Sequence, residues 1–302
     1  MTGAALLAHT GVVDHVALVA VVVALGALHT WAWVVASADE GRGRRADGVG
    51  GLVRPAAWAG GSAVVLVALS PPLESVAERS FTGHMVQHLL LIAVAAPLLT
   101  WAAPVATVRR ALRRRGRRAR VTPRERDVAR RWAGAAPIVA AGLFVATLLV
   151  THLTGIYDLA LRSAPVHHLE HAAYLGSAVL LWSVVGASSR VDAVGRIGTV
   201  FGVIAGSALL GIVLLSASAP LIDTYAARLG PDGALDDQRA AASLMWVGGM
   251  ATSLPLLLLA FWRWASAEER VAARSEALRG DSARAVRDEV VGRSATGGRS
   301  AP

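Results

Sequence analysis

The chain has 302 residues, 54% hydrophobic and 17% charged, with a formal net charge of +9 and no cysteine. The missing cysteines exclude disulfides, thiolate metal sites and thiol redox chemistry. Several apolar runs reach roughly 18 residues or more, enough to span a bilayer core of ~30 Å. That excludes a soluble domain, and basic residues placed between these runs rather than on one soluble face exclude a nucleic-acid-binding protein.

The pattern predicts an all-α polytopic membrane protein, a bundle of seven transmembrane helices. Span 1 covers Val16–Ala36. Val35-Ala36-Ser37-Ala38 resembles a signal-cleavage site, but the basic n-region is missing and the apolar run is long for a signal peptide, so the span is expected to be retained. Span 2, Leu52–Ser70, is diluted by Arg54, Pro55 and Gly60-Gly61 and stopped by Pro71-Pro72. Spans 3 to 7 follow at Phe81–Ala103, Trp132–Thr151, His167–Gly186, Val194–Ser216 and Ala240–Trp262. Residues 1–264 therefore form the membrane domain, and 265–302 a charged cytoplasmic tail. Within the tail, 265–290 is expected to be a surface helix, and the last ten residues, rich in Gly, Ser and Arg, are expected to be disordered.

Arginine sets the orientation. All 30 basic residues are Arg, a bias that with the Ala, Gly and Val richness suggests a GC-rich bacterial genome. Twelve lie between spans 3 and 4 (Arg109 to Arg131), four between spans 1 and 2, two between spans 5 and 6, and eight from Arg263 onward. Only Arg79, Arg162, Arg228 and Arg239 fall on the other side. The positive-inside rule then predicts N-terminus out and C-terminus in. The same rule accounts for the Arg-rich loop, which is expected to lie on anionic headgroups.

With that topology, five of the nine histidines sit at one depth under the outer surface. His84 and His88 open span 3, His152 closes span 4, and His167 and His171 open span 5. Imidazole is costly in hydrocarbon, so a lone one is usually a hydrogen-bonded packing residue, whereas five at one depth point to function. Both His-x-x-x-His pairs share a helical face and can bite one ion, and nitrogen suits copper, zinc, iron and nickel. Glu170 is placed to orient a ligating imidazole. Met85 lies about 100° around the helix from His84 and is a poor partner. His168 is off the ligand face, His29, close to Trp31 and Trp33, is read as packing or interface, and His9 and His15 are read as a solvated terminus ahead of a second possibility, joining a metal site. An acidic outer loop with Asp223, Asp232, Asp236 and Asp237, followed by Gln238 and then by Met245 and Trp246 inside the span, would attract cations as a mouth above the histidines, although ordinary loop solubility accounts for these acids on their own.

Two other chemistries fit the spacing. His167-x-x-Glu170-His171 matches the inverted zinc-peptidase pattern, but short motifs match by chance, and the acidic candidates for a third ligand downstream and outside are limited to Asp223, Asp232, Asp236 and Asp237. One His from span 3 against one from span 5 would also suit bis-histidine haem ligation.

Beyond chemistry, the residues resemble a known family. His84-Met85-Val86-Gln87-His88-Leu89-Leu90-Leu91 with Ala96-Pro97-Leu98-Leu99, then Tyr157-Asp158 ahead of His167 and His171, then Asp237-Gln238 with Met245-Trp246, are similar to signatures of the seven-span CtaG family. These are cytochrome c oxidase assembly factors of Gram-positive and actinobacterial type. Ala241-Ala242 stands where the family pattern has a Gly pair, which keeps small residues for close packing. The likeness covers roughly residues 52–264 and transfers no role to His29. A single-span copper chaperone sharing the CtaG name works through cysteines and cannot be this chain.

The resemblance implies a plasma-membrane, multi-pass, non-enzymatic protein that helps mature a haem–copper oxidase, with oxidase subunits and the lipid bilayer as partners. Copper is the expected metal, held by His84, His88, His152, His167 and His171. Asp158, Glu170, Asp237 and Gln238 are expected to orient ligands or form the mouth. A haem-binding electron-transfer protein and a copper transporter are the competing readings.

Overall fold

The computed structural model describes residues 3–37, 50–114, 123–187 and 191–297. Most of the loop between spans 1 and 2, the centre of the Arg-rich loop, Arg190 and residues 298–302 lie outside them. The helices in order are α1 (Gly3–Ser37), α2 (Gly50–Ala68), α3 (Pro71–Arg79), α4 (Phe81–Leu89), α5 (Ala96–Ala102), α6 (Pro104–Arg114), α7 (Pro123–Leu153), α8 (Ile156–Arg162), α9 (Ala164–Trp182), α10 (Ala193–Ser216) and α11 (Asp223–Gly297). Among the described residues, six helices are long and apolar enough to cross a bilayer, and there are seven if the bent pair α2–α3 counts as one span. The expected all-α polytopic bundle is therefore present, with α4–α5 as the third span and α7, α9, α10 and α11 as the last four.

Prolines shape the third span and its approach. The helix of span 2 ends at Ala68, just before Pro71-Pro72 as expected, and beyond the break the chain continues at 49° into α3. Proline disfavours helical backbone in the residue before it, and Ser70 is accordingly extended (φ −78°, ψ 148°). One residue separates α3 from α4. Ser80 caps α4, its Oγ accepting from the Gly83 N–H at 3.0 Å. A Cβ on Gly83 would lie 2.7 Å from the Val76 carbonyl oxygen, so only glycine lets α3 fold this tightly against α4. Lower down, Leu90–Ala95 form a π-helical turn between α4 and α5. Pro97 lacks an N–H and crowds the carbonyl four residues back, and the wider turn accommodates it. The indole N–H of Trp182 donates to the Ile92 carbonyl in that turn at 2.9 Å, tying α9 to it.

In a bilayer no hydrophobic force drives helix against helix, so contact depends on close packing and small residues. Gly206 of α10 sits where a Cβ would lie 2.6 Å from the Val145 methyls of α7. Ala241 and Ala242 of α11 are fully buried in a core that also holds Phe144, Leu148, Leu181, Val203 and Leu214. Outward-facing Ile138, Phe201, Val247 and Trp262 are 65–78% exposed, as lipid-facing residues are.

Two loops differ from expectation. The acidic stretch before the last span is helical, not a loop: α11 begins at Asp223, kinks at Gly230 (φ 74°) and resumes at Pro231. A proline at the first position of a helix suits that restart. The connection after α7 likewise folds as α8. At the other end, α11 continues unbroken through 265–290 to Gly297. His15 is not a solvated terminal residue, because its Nδ1 lies 3.2 Å from the Leu69 carbonyl oxygen.

Candidate metal centre

Chain alternation places the starts of α4, α9 and α11 and the end of α7 at one end of the bundle. All five histidines lie at that end, and four of them, His84, His88, His167 and His171, are in ring contact. His84 is fully buried, and His88, His152, His167 and His171 are each at most 8% exposed. Ring centroids are 4.5 Å apart for His84–His88, 5.2 Å for His84–His167, 5.4 Å for His88–His171 and 4.3 Å for His167–His171. The i, i+4 spacing on α4 and on α9 creates the two pairs, and packing of the third span against α9 makes them face each other.

Among the described residues, two overlapping sets of three possible ligands result. One is His84, His88 and His171; the other is His84, His167 and Glu170. Within each set the ligand atoms lie within 4.8 Å of one another. Bonds of ~2.1 Å to an ion bring two ligands to at most about 4.2 Å, so closing on a metal requires movements under about 1 Å. Glu170 sits inside the cluster rather than behind it, its Oε2 3.7 Å from His84 Nε2. Sequence reasoning gave it only an orienting part. The next-door position on the helix hid its reach to His84, which depends on tertiary packing.

The donor atoms are uncommitted. His84 Nε2, both ring nitrogens of His88, Nε2 of His167 and of His171, and both Glu170 oxygens are buried without a hydrogen-bond partner. Buried polar atoms are nearly always paired, and a place for a bound ion is one standard reason for an unpaired cluster. The residues therefore fit a metal.

His152 sits apart from both triads. Its Nδ1 lies 2.9 Å from the Leu148 carbonyl oxygen, which can only accept, so Nδ1 carries the proton. Its Nε2 is left as a buried acceptor without a partner. With Met85, His88 and Met245 it lines a small cavity directly below the cluster, whose remaining walls are mostly apolar. An aromatic wall surrounds the histidines. Tyr174 packs 4.1 Å from His88 and Tyr157 4.9 Å from His84. The Tyr225 hydroxyl donates to the Ala77 carbonyl at 2.7 Å and lies 3.5 Å from His84 Nδ1. Burial pushes the phenol of Tyr157, in the short α8 between spans, well above its usual range, so it stays a neutral hydroxyl.

The remaining expected site residues hold the frame. Asp237 accepts from the N–H of Phe81 at 2.6 Å and of Thr82 at 3.2 Å, and from Thr82 Oγ1 at 2.6 Å, pinning the start of α4. Asp158 accepts from the N–H of Asp223 and of Thr224, pinning the start of α11. Gln238 accepts from Leu221 N–H at 2.8 Å and donates to the Leu214 carbonyl at 3.0 Å, clamping α10 to α11. None of the three belongs to a triad. His168 is exposed beside His167, and His29 is buried and stacked on Trp58 at 4.9 Å. Sequence reasoning missed Glu74, whose Oε1 lies 3.5 Å from His167 Nδ1. The only signal was an acid just past the Pro71-Pro72 bend.

Fold and site together define a polytopic helical membrane protein with a buried nitrogen-rich cluster at one end. The chain belongs to the cytochrome c oxidase caa3 assembly factor family (Caa3_CtaG), whose model matches residues 27–267. It is similar to an uncharacterized protein of Mycobacterium leprae, 24% identical over 257 residues, covering 78% of this chain and 38% of that protein. Uncharacterized proteins of Mycobacterium bovis and Mycobacterium tuberculosis are each 25% identical over 242 residues, covering 73% of this chain and 35% of theirs. The chain thus spans little more than a third of the length of these relatives. No solved structure matches it.

Proposed function

We propose that this protein is a plasma-membrane assembly factor that takes copper at the outer face, holds it in the histidine cluster and releases it to the subunits of a haem–copper oxidase. The observation that carries this reading is the convergence of uncommitted buried donors from α4 and α9 on two three-ligand sets. Family membership supplies the oxidase. The donors are nitrogen and carboxylate oxygen without thiolate, and among divalent first-row metals such sites favour copper most strongly. Copper is cargo here, and the role is to hold and hand over an ion rather than to catalyse.

Crowding argues for an ion over haem. A macrocycle needs clear space beside its axial rings, and His88 already has Tyr174 at 4.1 Å and His84 at 4.5 Å. Transport would call for ligands continuing inward. Below His88 and His152 the cavity wall is mostly apolar, with Leu89, Ile92, Phe144, Leu181 and Val203. Full-length protein purified in detergent is expected to retain about one copper after dialysis and to show no Soret band. A Soret band, or wild-type protein that binds no copper, would sink the reading.

The outer-face placement rests on arginine segregation, with the basic tail and α6 at the end of the bundle opposite the histidines. The cysteine-free background makes a direct check simple. A cysteine replacing exposed Arg228 is expected to react with a membrane-impermeant maleimide in intact cells, and one replacing Arg270 only after permeabilisation. The reverse pattern would invert the topology.

A further inference from the structure

We propose that copper reaches the cluster through a vestibule between α1, α3 and α9, with the Glu74 carboxylate as its first protein ligand, and not through the acidic segment before the last span. This rests on the functional reading above. The vestibule is a cavity of about 380 Å³ whose polar lining comes from His15, Glu74, Gln87, His168 and His171. It reaches both triads. His171, with its unpartnered buried Nε2, forms part of the wall and belongs to one. Glu74 lines the same cavity and touches His167 of the other at 3.5 Å.

Glu74 has the position a receiving group needs. Its side chain is 28% exposed, against 10% for that of His167, so it meets water on one side and the buried cluster on the other. Gln87 adds a fixed acceptor. Its amide donates to the Ala68 carbonyl at 2.8 Å, and its Oε1 is buried without a partner. An incoming cation can then exchange water for carboxylate oxygen, and carboxylate for imidazole nitrogen. Only coordination bonds change, and no electron moves.

Three of the acids expected to form the mouth are otherwise engaged. Asp158 and Asp237 are held by backbone N–H groups at helix starts. Asp236 is paired with Arg239 at 3.9 Å on an exposed face, with its side chain 82% exposed. None of these, nor Asp223 or Asp232, lines the vestibule.

The test is the rate at which full-length protein in detergent strips copper(II) from a coloured chelate. Glu74→Gln is expected to fill to the wild-type stoichiometry but about ten-fold more slowly, the loss typical of removing a steering charge. Ala172→Trp, which plugs the vestibule from an exposed position on α9, is expected to slow filling as well. Asp236→Asn is expected to fill at the wild-type rate. Wild-type rates in both Glu74→Gln and Ala172→Trp overturn the route and leave the cluster standing, as does an Asp236→Asn rate as slow as that of Glu74→Gln. Wild-type protein that takes up no copper removes the functional reading, and the route with it.

Discussion

Replacing His84 with alanine is expected to abolish copper retention, with affinity falling by more than about 100-fold. Loss of a group that merely orients a ligand already costs about 10- to 100-fold, and a direct ligand costs more. His84 is the one residue common to both triads, so its removal leaves neither with three donors. His88→Ala and His167→Ala each spoil only one set. Whichever of those two retains copper identifies the set that the ion does not use. His84 is fully buried, so truncation to alanine also opens a void. His84→Leu keeps much of the volume and removes the nitrogen, and it is expected to lose copper equally while melting near the wild-type temperature. Equilibrium dialysis and metal analysis read the outcome. Wild-type copper content in His84→Leu would dismantle the centre.

The second large effect is expected at Asp237, where the change is in stability. Asp237→Ala removes a carboxylate that accepts from two backbone N–H groups and one hydroxyl at the start of α4. Hydrogen bonds to a charged group contribute roughly 1.5–3 kcal/mol each, and loss of a helix cap about 1 kcal/mol. Because these overlap, a net loss of about 2–4 kcal/mol is expected. His84 sits two residues beyond Thr82, so copper affinity should fall in parallel although Asp237 touches no ligand. Asp237→Asn keeps one acceptor oxygen and should lose less. Thermal melting followed by tryptophan fluorescence checks this, and an unchanged melt in Asp237→Ala would show that the clamp contributes nothing.

Local pattern made the bundle and the two histidine pairs legible in the sequence. Hydropathy marks spans of bilayer length, and i, i+4 spacing needs only a helix to put His84 beside His88 and His167 beside His171. What stayed hidden depends on contacts between residues distant in the chain. Asp237 bonds to Phe81 across 156 positions, and no local rule distinguishes that clamp from an acid in a solvated mouth. Glu74 meets His167 only because the Pro71-Pro72 bend turns α3 over the cluster. His152 shares the depth of its neighbours, yet its Nδ1 is bonded to its own helix at Leu148. Depth was readable and direction was not.

The wide turn at Leu90–Ala95 carries one residue more than an ordinary helix would use over that length. The upper and lower halves of the third span are thereby placed in different angular registers. Deleting a single residue in that turn would swing His84 and His88 by roughly 100° relative to α5, away from His167 and His171. The length of this short segment therefore sets the aim of His84 and His88 as surely as their identity does.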